Sequence, residues 1–600
     1  MKKSVQGKNK VKSTKRFVSK GIMPMVACFL LSGFVVWWYL FLYPHISLFY
    51  REQSQMFLFT RDYLLRYLNY PAGLTAYVAS FLIQFFHWRF LGVMIYLVVF
   101  LLFYLIFRLV LRKIDLFKES FFIAFIPGLL FLPASVNMLF DLADELVVII
   151  ALCGFLALTR FTANRFYFLL IPLIITILFI IAGGNVLLSL TLFVLYSFFR
   201  QPKNYLRQIA TGFLSLLLPL IFWYFFYMTS FKNSCLALTH FRYPDALLFD
   251  SRGIAWWSAG ILPVTGILLK KIRAGKKWIF IGNIALVIIL LIHIVKQNRS
   301  DFENIIRMGF AAENHQWEDI PVISKKTSVS PITCLYTNLA LQKTGQMAEK
   351  MFHYDQIGIS GLFVDSKDHF SCSAKSELFW QLGLINLAQY YAYESMSGYS
   401  YVKDQNVRNM KRLLDCAIIK QDQALTTKYK KILDKTLFYR DYTEKQKKRL
   451  NDSSVFKMKN TISGDMSVVL ASILEYNSRN QNIFEYLMAY YLLERDYEKA
   501  KECFDRYFPN FSYPHIPVHY AEFLSLYKRL NQLDDNFYKQ YPVSRAICER
   551  FDMMDVLVSA KMTKQIQKTL EDGFKNTYWF YVRFPLVNVQ TVKKDEKTIY

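Results

Sequence analysis

Carboxylates are almost absent from the first half of the chain: of the 45 Asp and Glu in 600 residues, 9 precede Gln297, against 30 Lys and Arg. The formal charge of +27 therefore divides into +21 before that point and +6 after it. Such an excess in the apolar half is what basic loops beside membrane spans produce, so nucleic-acid binding loses its main support. No phosphate-binding glycine loop and no zinc-protease His-Glu motif occurs, which disfavours an ATP-driven machine and a metalloprotease. The eight cysteines form no Cys-x-x-Cys, so disulfides are permitted outside the cytoplasm but not signalled. Strand-like alternation is scarce, and the expected class is all-α.

Apolar runs are present instead. Lys2 to Lys20 carry eight basic residues and no acid before the run Ile22–Tyr43, which is too long for a signal-peptide core and lacks a small-x-small cleavage site. The run continues past Cys28, which excludes a lipoprotein signal. Further runs cover Phe90–Val110, Phe121–Ala134, Val147–Thr159, Phe166–Ala182, Val186–Phe199, Ile209–Met228, Ile254–Leu269 and Trp278–Val295. Together they predict about nine spans in a polytopic domain over residues 1–297. The basic clusters fall on alternate connections, which places the N-terminus on the cytoplasmic side of the membrane and residues 298–600 on the far side. Gly183-Gly184-Asn185 reads as a tight outer turn.

In this topology Asp115 and Glu119 lie inside, while Glu52, Asp62, Asp141, Asp144, Glu145, Asp245 and Asp250 share the outer face. Ionisable groups near membrane depth point to function. The competing account is that acids at the start of a returning helix cap free N–H groups and favour its dipole.

A first span, a long outer loop with acids (Arg51-Glu52 and Arg61-Asp62 in Pro44–Gly73), and a second acidic group at Asp141-Leu142-Ala143-Asp144-Glu145 resemble the GT-C class of membrane glycosyltransferases. These enzymes take sugars from polyprenyl-phosphate carriers at the outer face. The resemblance implies that Glu52 or Asp62 acts as base or metal ligand, with Asp141, Asp144 or Glu145 as the second acid. A divalent cation is the cofactor it would allow. Arg51, Arg61, Arg242 and Arg252 would face the lipid phosphate, since guanidinium suits phosphate geometry. The first loop has no Asp-x-Asp, and the span count is low for the class. Over its full length the chain also resembles multi-pass membrane proteins of Bacteroidota with a helical C-terminal half, a likeness that brings no known activity.

Residues 298–600 carry amphipathic stretches at Ser376–Ser395, Asn406–Asp434 and Asn482–Phe508. In the third, Phe484, Leu487, Met488 and Tyr491, then Tyr497, Ala500 and Phe504, with Pro509 following, have a spacing that resembles a tetratricopeptide repeat. Phe379, Leu382 and Gly383, and Leu339, Ala340 and Gly345, are partial copies. An extracytoplasmic repeat-like domain of this kind presents a concave surface to a peptide, an envelope protein or a glycan. His515 and His519 could share a helical face for zinc, but Pro514 and Pro517 argue against a helix, so both read as surface or loop histidines and no metal site follows. Two functions of different kind remain: a glycosyltransferase acting at the outer face, or a membrane-anchored scaffold for an envelope complex.

Overall fold

The computed structural model describes residues 25–42, 45–114, 121–135, 140–161, 167–200, 205–227, 229–242, 251–268, 276–296, 301–397, 406–450, 464–559 and 563–584. Among them every regular element is helical. The chain forms two compact units, Met1–Arg299 and Ser300–Tyr600.

In the first unit three stretches are long and apolar enough to cross a membrane: Arg89–Lys113, Leu142–Phe161 and Phe168–Phe198. Met25–Phe41 and Ile46–Gln53, bent by 78°, make a fourth if taken as one span. This corrects the expected nine among the described residues. An apolar run is not a helix of the same length. Phe121–Ala134 divides into a 3-10 turn and a nine-residue helix, and within the helices Tyr205–Phe226 and Lys276–Lys296 the described apolar stretches are Ala210–Phe226 and Ile281–Val295. At about 1.5 Å per residue, fewer than 18 residues fall short of a core of roughly 30 Å.

The stretch Phe168–Phe198 is not one rod. Gly183 has φ +56, a left-handed conformation that ends a helix and that glycine adopts without penalty. Leu178 before the break and Ser189 after it both meet Gly154, so Tyr167–Ala182 and Val186–Arg200 fold back against Leu142–Phe161. Close packing needs small residues here: a Cβ on Gly154 would come 2.5 Å from the Leu178 side chain. On Arg89–Lys113 the residues Val99, Phe103, Phe107 and Val110 are buried, while Val98, Leu102, Leu105 and Leu109 form an exposed apolar stripe at spacings of four, three and four.

The second unit is a succession of helical hairpins. Asp301–Glu313 pairs with Asp319–Ser324, Pro331–Lys343 with Met347–Lys350, His369–Gln381 with Ile385–Glu394, and Val407–Ile419 with Gln423–Leu433. Tyr442–Leu450 and Met466–Tyr476 follow, then Gln481–Glu494 with Tyr497–Tyr507 and Val518–Leu530 with Asn536–Gln540. Six first helices end in the same way, with positive φ at His315, Gly345, Gly383, Gln421, Arg495 and Gln532. In each the next residue donates its N–H five residues back, as from Leu384 to the Phe379 carbonyl (2.8 Å) and from Asp496 to the Tyr491 carbonyl (3.0 Å). This double-bonded turn satisfies the last helical carbonyls. It recurs mostly at about 37 residues, with twice that interval between Gln421 and Arg495.

The array does not remain open. Gln342 Nε2 of the second hairpin donates to Asn482 Oδ1 (2.6 Å), the Val518 N–H donates to Glu349 (3.2 Å), and Phe352 stacks on His519 and Tyr578. One hydrophobic core runs from Ile305 to Tyr578. Hairpins distant in sequence share a packed interior along these contacts.

Candidate functional site

The sequence between Met25–Phe41 and Arg89–Lys113 folds back onto its neighbours. Thr60 caps the helix Arg61–Leu68 by accepting from the Tyr63 N–H (3.3 Å), and Gly73 starts the next helix where a Cβ would lie 1.7 Å from the Tyr67 carbonyl oxygen. The Ala72 N–H donates to Ile180 O (2.9 Å) and Thr75 Oγ1 to Ile181 O (2.6 Å), beside the Gly183 break. At that break a Cβ on Gly184 would fall 1.7 Å from Cys235 O. Asn185 donates to Leu238 O (2.8 Å) and accepts from Trp256 Nε1 (2.6 Å). These connections therefore meet at one end of the unit.

A polar seam lies within them. Glu52 is 3% exposed; Gln53 Nε2 donates to its Oε2 (2.7 Å), and His87 Nδ1 lies 3.9 Å from the same oxygen. Gln55 Nε2 donates to Ser80 O (2.9 Å). Ser80, Gln84 and His87 fall at i, i+4 and i+7, so one helical face is aligned with the segment 52–55. Gln55 Oε1 and Gln84 Nε2 are buried without a protein partner, one an acceptor and the other a donor. Beside them Tyr63 and Tyr67 share a hydrogen bond (2.9 Å) that Tyr67 continues to Ser80 Oγ (2.9 Å). Burial pushes both phenols up from their ordinary range. Phe57, Phe59, Tyr77 and Phe81 pack around this chain.

The other candidates are placed differently. Asp141 Oδ1 accepts from the Ala143 N–H (3.2 Å), while Asp144 Oδ2 accepts from the Asp141 N–H (3.1 Å), a reciprocal cap on the helix Leu142–Phe161. Asp141 is near enough to Tyr67 to disfavour its phenolate, so the capped turn adjoins the loop cluster. Glu145 is buried in the first turn of the same helix. Arg51 donates to the Phe140 and Ser135 carbonyls and lies over the Phe140 ring; it ties the first loop to the capped turn. Arg61 and Asp62 are exposed on the first turn of their helix. Asp245 and Asp250 lie outside the described residues, as do the side chains of Arg242 and Arg252. Among the described residues no three His, Cys, Asp or Glu are grouped to hold a metal ion.

The sequence reading missed His87, Gln55, Gln84 and Ser80. The i, i+4, i+7 spacing from Ser80 to His87 was available, but nothing in it gave the partner segment. It also missed a second ionised cluster, in the second unit. Arg412 pairs with the buried Glu377 (2.5 Å), and Lys411 with Glu313 (3.1 Å). Arg408 lies 3.6 Å from Glu313, and Tyr442 donates to Asp415 (3.0 Å). They surround roughly 20 Å³ of room for a water centre, enough for one or two waters. Burial raises Glu313, but Lys411, Arg408 and Arg412 outweigh it and hold the carboxyl down to about 2. At Asp415 burial prevails over Arg412 and Tyr442 and pushes the group up to about 6.

His515 is exposed and pairs with Glu349 (3.0 Å). His519 corrects the expectation of a surface histidine: it is 1% exposed, inside the helix Val518–Leu530. Its Nε2 accepts from the Phe352 N–H (3.3 Å), leaving Nδ1 to donate to Glu522 (2.9 Å).

A family model matches residues 21–585, across both units. The chain belongs to the family of unknown function DUF6057. No curated protein and no solved structure matches it.

Proposed function

We propose that this DUF6057 chain is a multi-pass protein of the inner membrane of a Bacteroidota-type bacterium, with its N-terminus cytoplasmic and its second unit periplasmic. In this reading the first unit moves a sugar from a polyprenyl-phosphate carrier to a hydroxyl acceptor at the outer face, as in GT-C enzymes. The exposed apolar stripe on Arg89–Lys113 supports lipid contact, because soluble surfaces avoid such patches. The observation that carries the chemistry is the burial of Glu52 beside His87, in a seam that also holds unpaired amide groups. Glu52 is the base: it takes the acceptor proton as the acceptor oxygen bonds to the anomeric carbon. The C1–O bond to phosphate breaks, and the polyprenyl phosphate leaves with the electron pair. Arg61, Arg242 and Arg252 are the cations left to face that phosphate, since Arg51 is engaged by carbonyls. Asp62, the other first-loop acid, is exposed, and Asp141 and Asp144 hold the turn in place.

Full-length protein in proteoliposomes, given a polyprenyl-phosphate sugar labelled in the sugar, should release or transfer the label. Glu52→Gln should lose that activity by at least 100-fold. Absence of turnover by the unaltered protein above empty vesicles contradicts the proposal.

The hairpin array favours a second reading: a tetratricopeptide-like scaffold for an envelope protein or glycan. Under it Glu52→Gln is silent, and substitutions on exposed faces of the hairpins carry the phenotype.

A further inference from the structure

The charge of the second unit is concentrated. Residues 420–450 hold 10 Lys and Arg against 4 Asp and Glu, a net +6, equal to that of all residues from 298 to 600 (42 against 36). Everything else in that half is balanced. On Gln423–Leu433 and the residue pair beyond it, Lys428, Lys431 and Lys435 stand at i, i+3 and i+7 and are exposed. On Tyr442–Leu450, Lys445 and Lys448 are exposed at i and i+3. Lys430 and Glu444 join the two helices at 2.5 Å.

Two of the four acids are occupied. Asp422 accepts the Leu425 N–H at the helix start (2.9 Å), and Glu444 is held by Lys430. A face kept only for solubility mixes both signs, as the remainder of this unit does. We propose that the Lys428, Lys431, Lys435, Lys445 and Lys448 face docks on the anionic lipid leaflet beside the unit. Lipid is favoured over a soluble polyanion by chain connection: the unit begins at Ser300, just after the apolar helix Lys276–Lys296. In a membrane-inserted molecule that helix keeps the leaflet at high effective concentration, and clustered lysines near a bilayer select anionic headgroups. This rests on the membrane placement proposed above, not on the sugar chemistry.

The test uses full-length protein in nanodiscs of phosphatidylcholine alone or with phosphatidylglycerol, reading acetylation of each lysine by mass spectrometry. The five lysines should react severalfold more slowly in the anionic discs, and the difference should vanish at about 0.5 M salt. Exposed Lys350 and Lys367 should react equally in both. Combining Lys428→Gln, Lys431→Gln and Lys435→Gln should restore fast reaction at Lys445 and Lys448. Equal rates in the two discs overturn the proposal. Protection by inorganic polyphosphate in neutral discs, without protection in anionic ones, overturns the assignment to lipid. Failure of the chain to enter discs overturns the membrane reading itself.

Discussion

Two buried polar clusters, one in each unit, meet a carboxylate with different partners. In the second unit Glu377 faces the Arg412 guanidinium, and Glu313 faces Lys411 and Arg408. The cations hold the Glu313 carboxyl down to about 2, and the pairs join helices of different hairpins. In the first unit Glu52 is met by an amide and by an imidazole 3.9 Å away that is still 29% exposed. Glu52 thus meets an amide donor and an imidazole, whereas Glu377 and Glu313 are paired with fixed cations. Burial alone does not separate chemistry from architecture, but the identity of the partner does.

The comparison can be broken most severely at Arg412→Ala. It leaves Glu377 buried without its cation and should cost about 3–5 kcal/mol by chemical denaturation; a cost near zero would mean the pair is not structural. In the first unit, Gly184→Ala drives a Cβ into the Cys235 carbonyl and should cost about 1–3 kcal/mol, read as a lower Tm. Asp144→Ala removes a cap and should cost about 1 kcal/mol while activity per folded molecule persists; loss of activity at full stability would return Asp144 to the chemistry. The smallest effects follow pH. Asp415 is raised to about 6 from an ordinary 3.8, so its contribution is complete below about 3.8 and is lost as pH rises through 6. Asp415→Asn should flatten that decline. Glu313, held near 2 against an ordinary 4.5, contributes above 4.5 and loses that contribution as pH falls toward 2; Glu313→Gln should remove the acid limb.

The helical class was legible because apolar spacing of three and four residues recurs throughout both halves. Span number was not, since hydropathy counts apolar residues and does not fix how long an unbroken apolar helix they form, whereas the turn at Gly183-Gly184-Asn185 was legible. Gly345 and Gly383 announced two of the repeated turns. The same left-handed turn falls on His315, Gln421, Arg495 and Gln532, residues that carry no such signal, so most of the array was invisible. The closure of the hairpins through Gln342 and Asn482, 140 positions apart, has no local signature at all. At the candidate site, Glu52 was visible as an acid in an apolar half. Its partner His87 was not, because their meeting depends on the helix His45–Gln53 packing against the later turn Gln84–His87. Asp141 and Asp144 were visible too, and both competing readings of them could be written from the residues. Only the hydrogen bonds in the turn favour capping.

The most direct measurement sets Glu52→Gln beside Glu377→Gln in full-length protein, recording Tm and sugar transfer from the polyprenyl-phosphate donor for each. The account predicts that Glu52→Gln keeps its Tm and loses transfer, while Glu377→Gln lowers Tm and keeps transfer per folded molecule. Retained transfer in Glu52→Gln, or a fall in Tm matching that of Glu377→Gln, would contradict it.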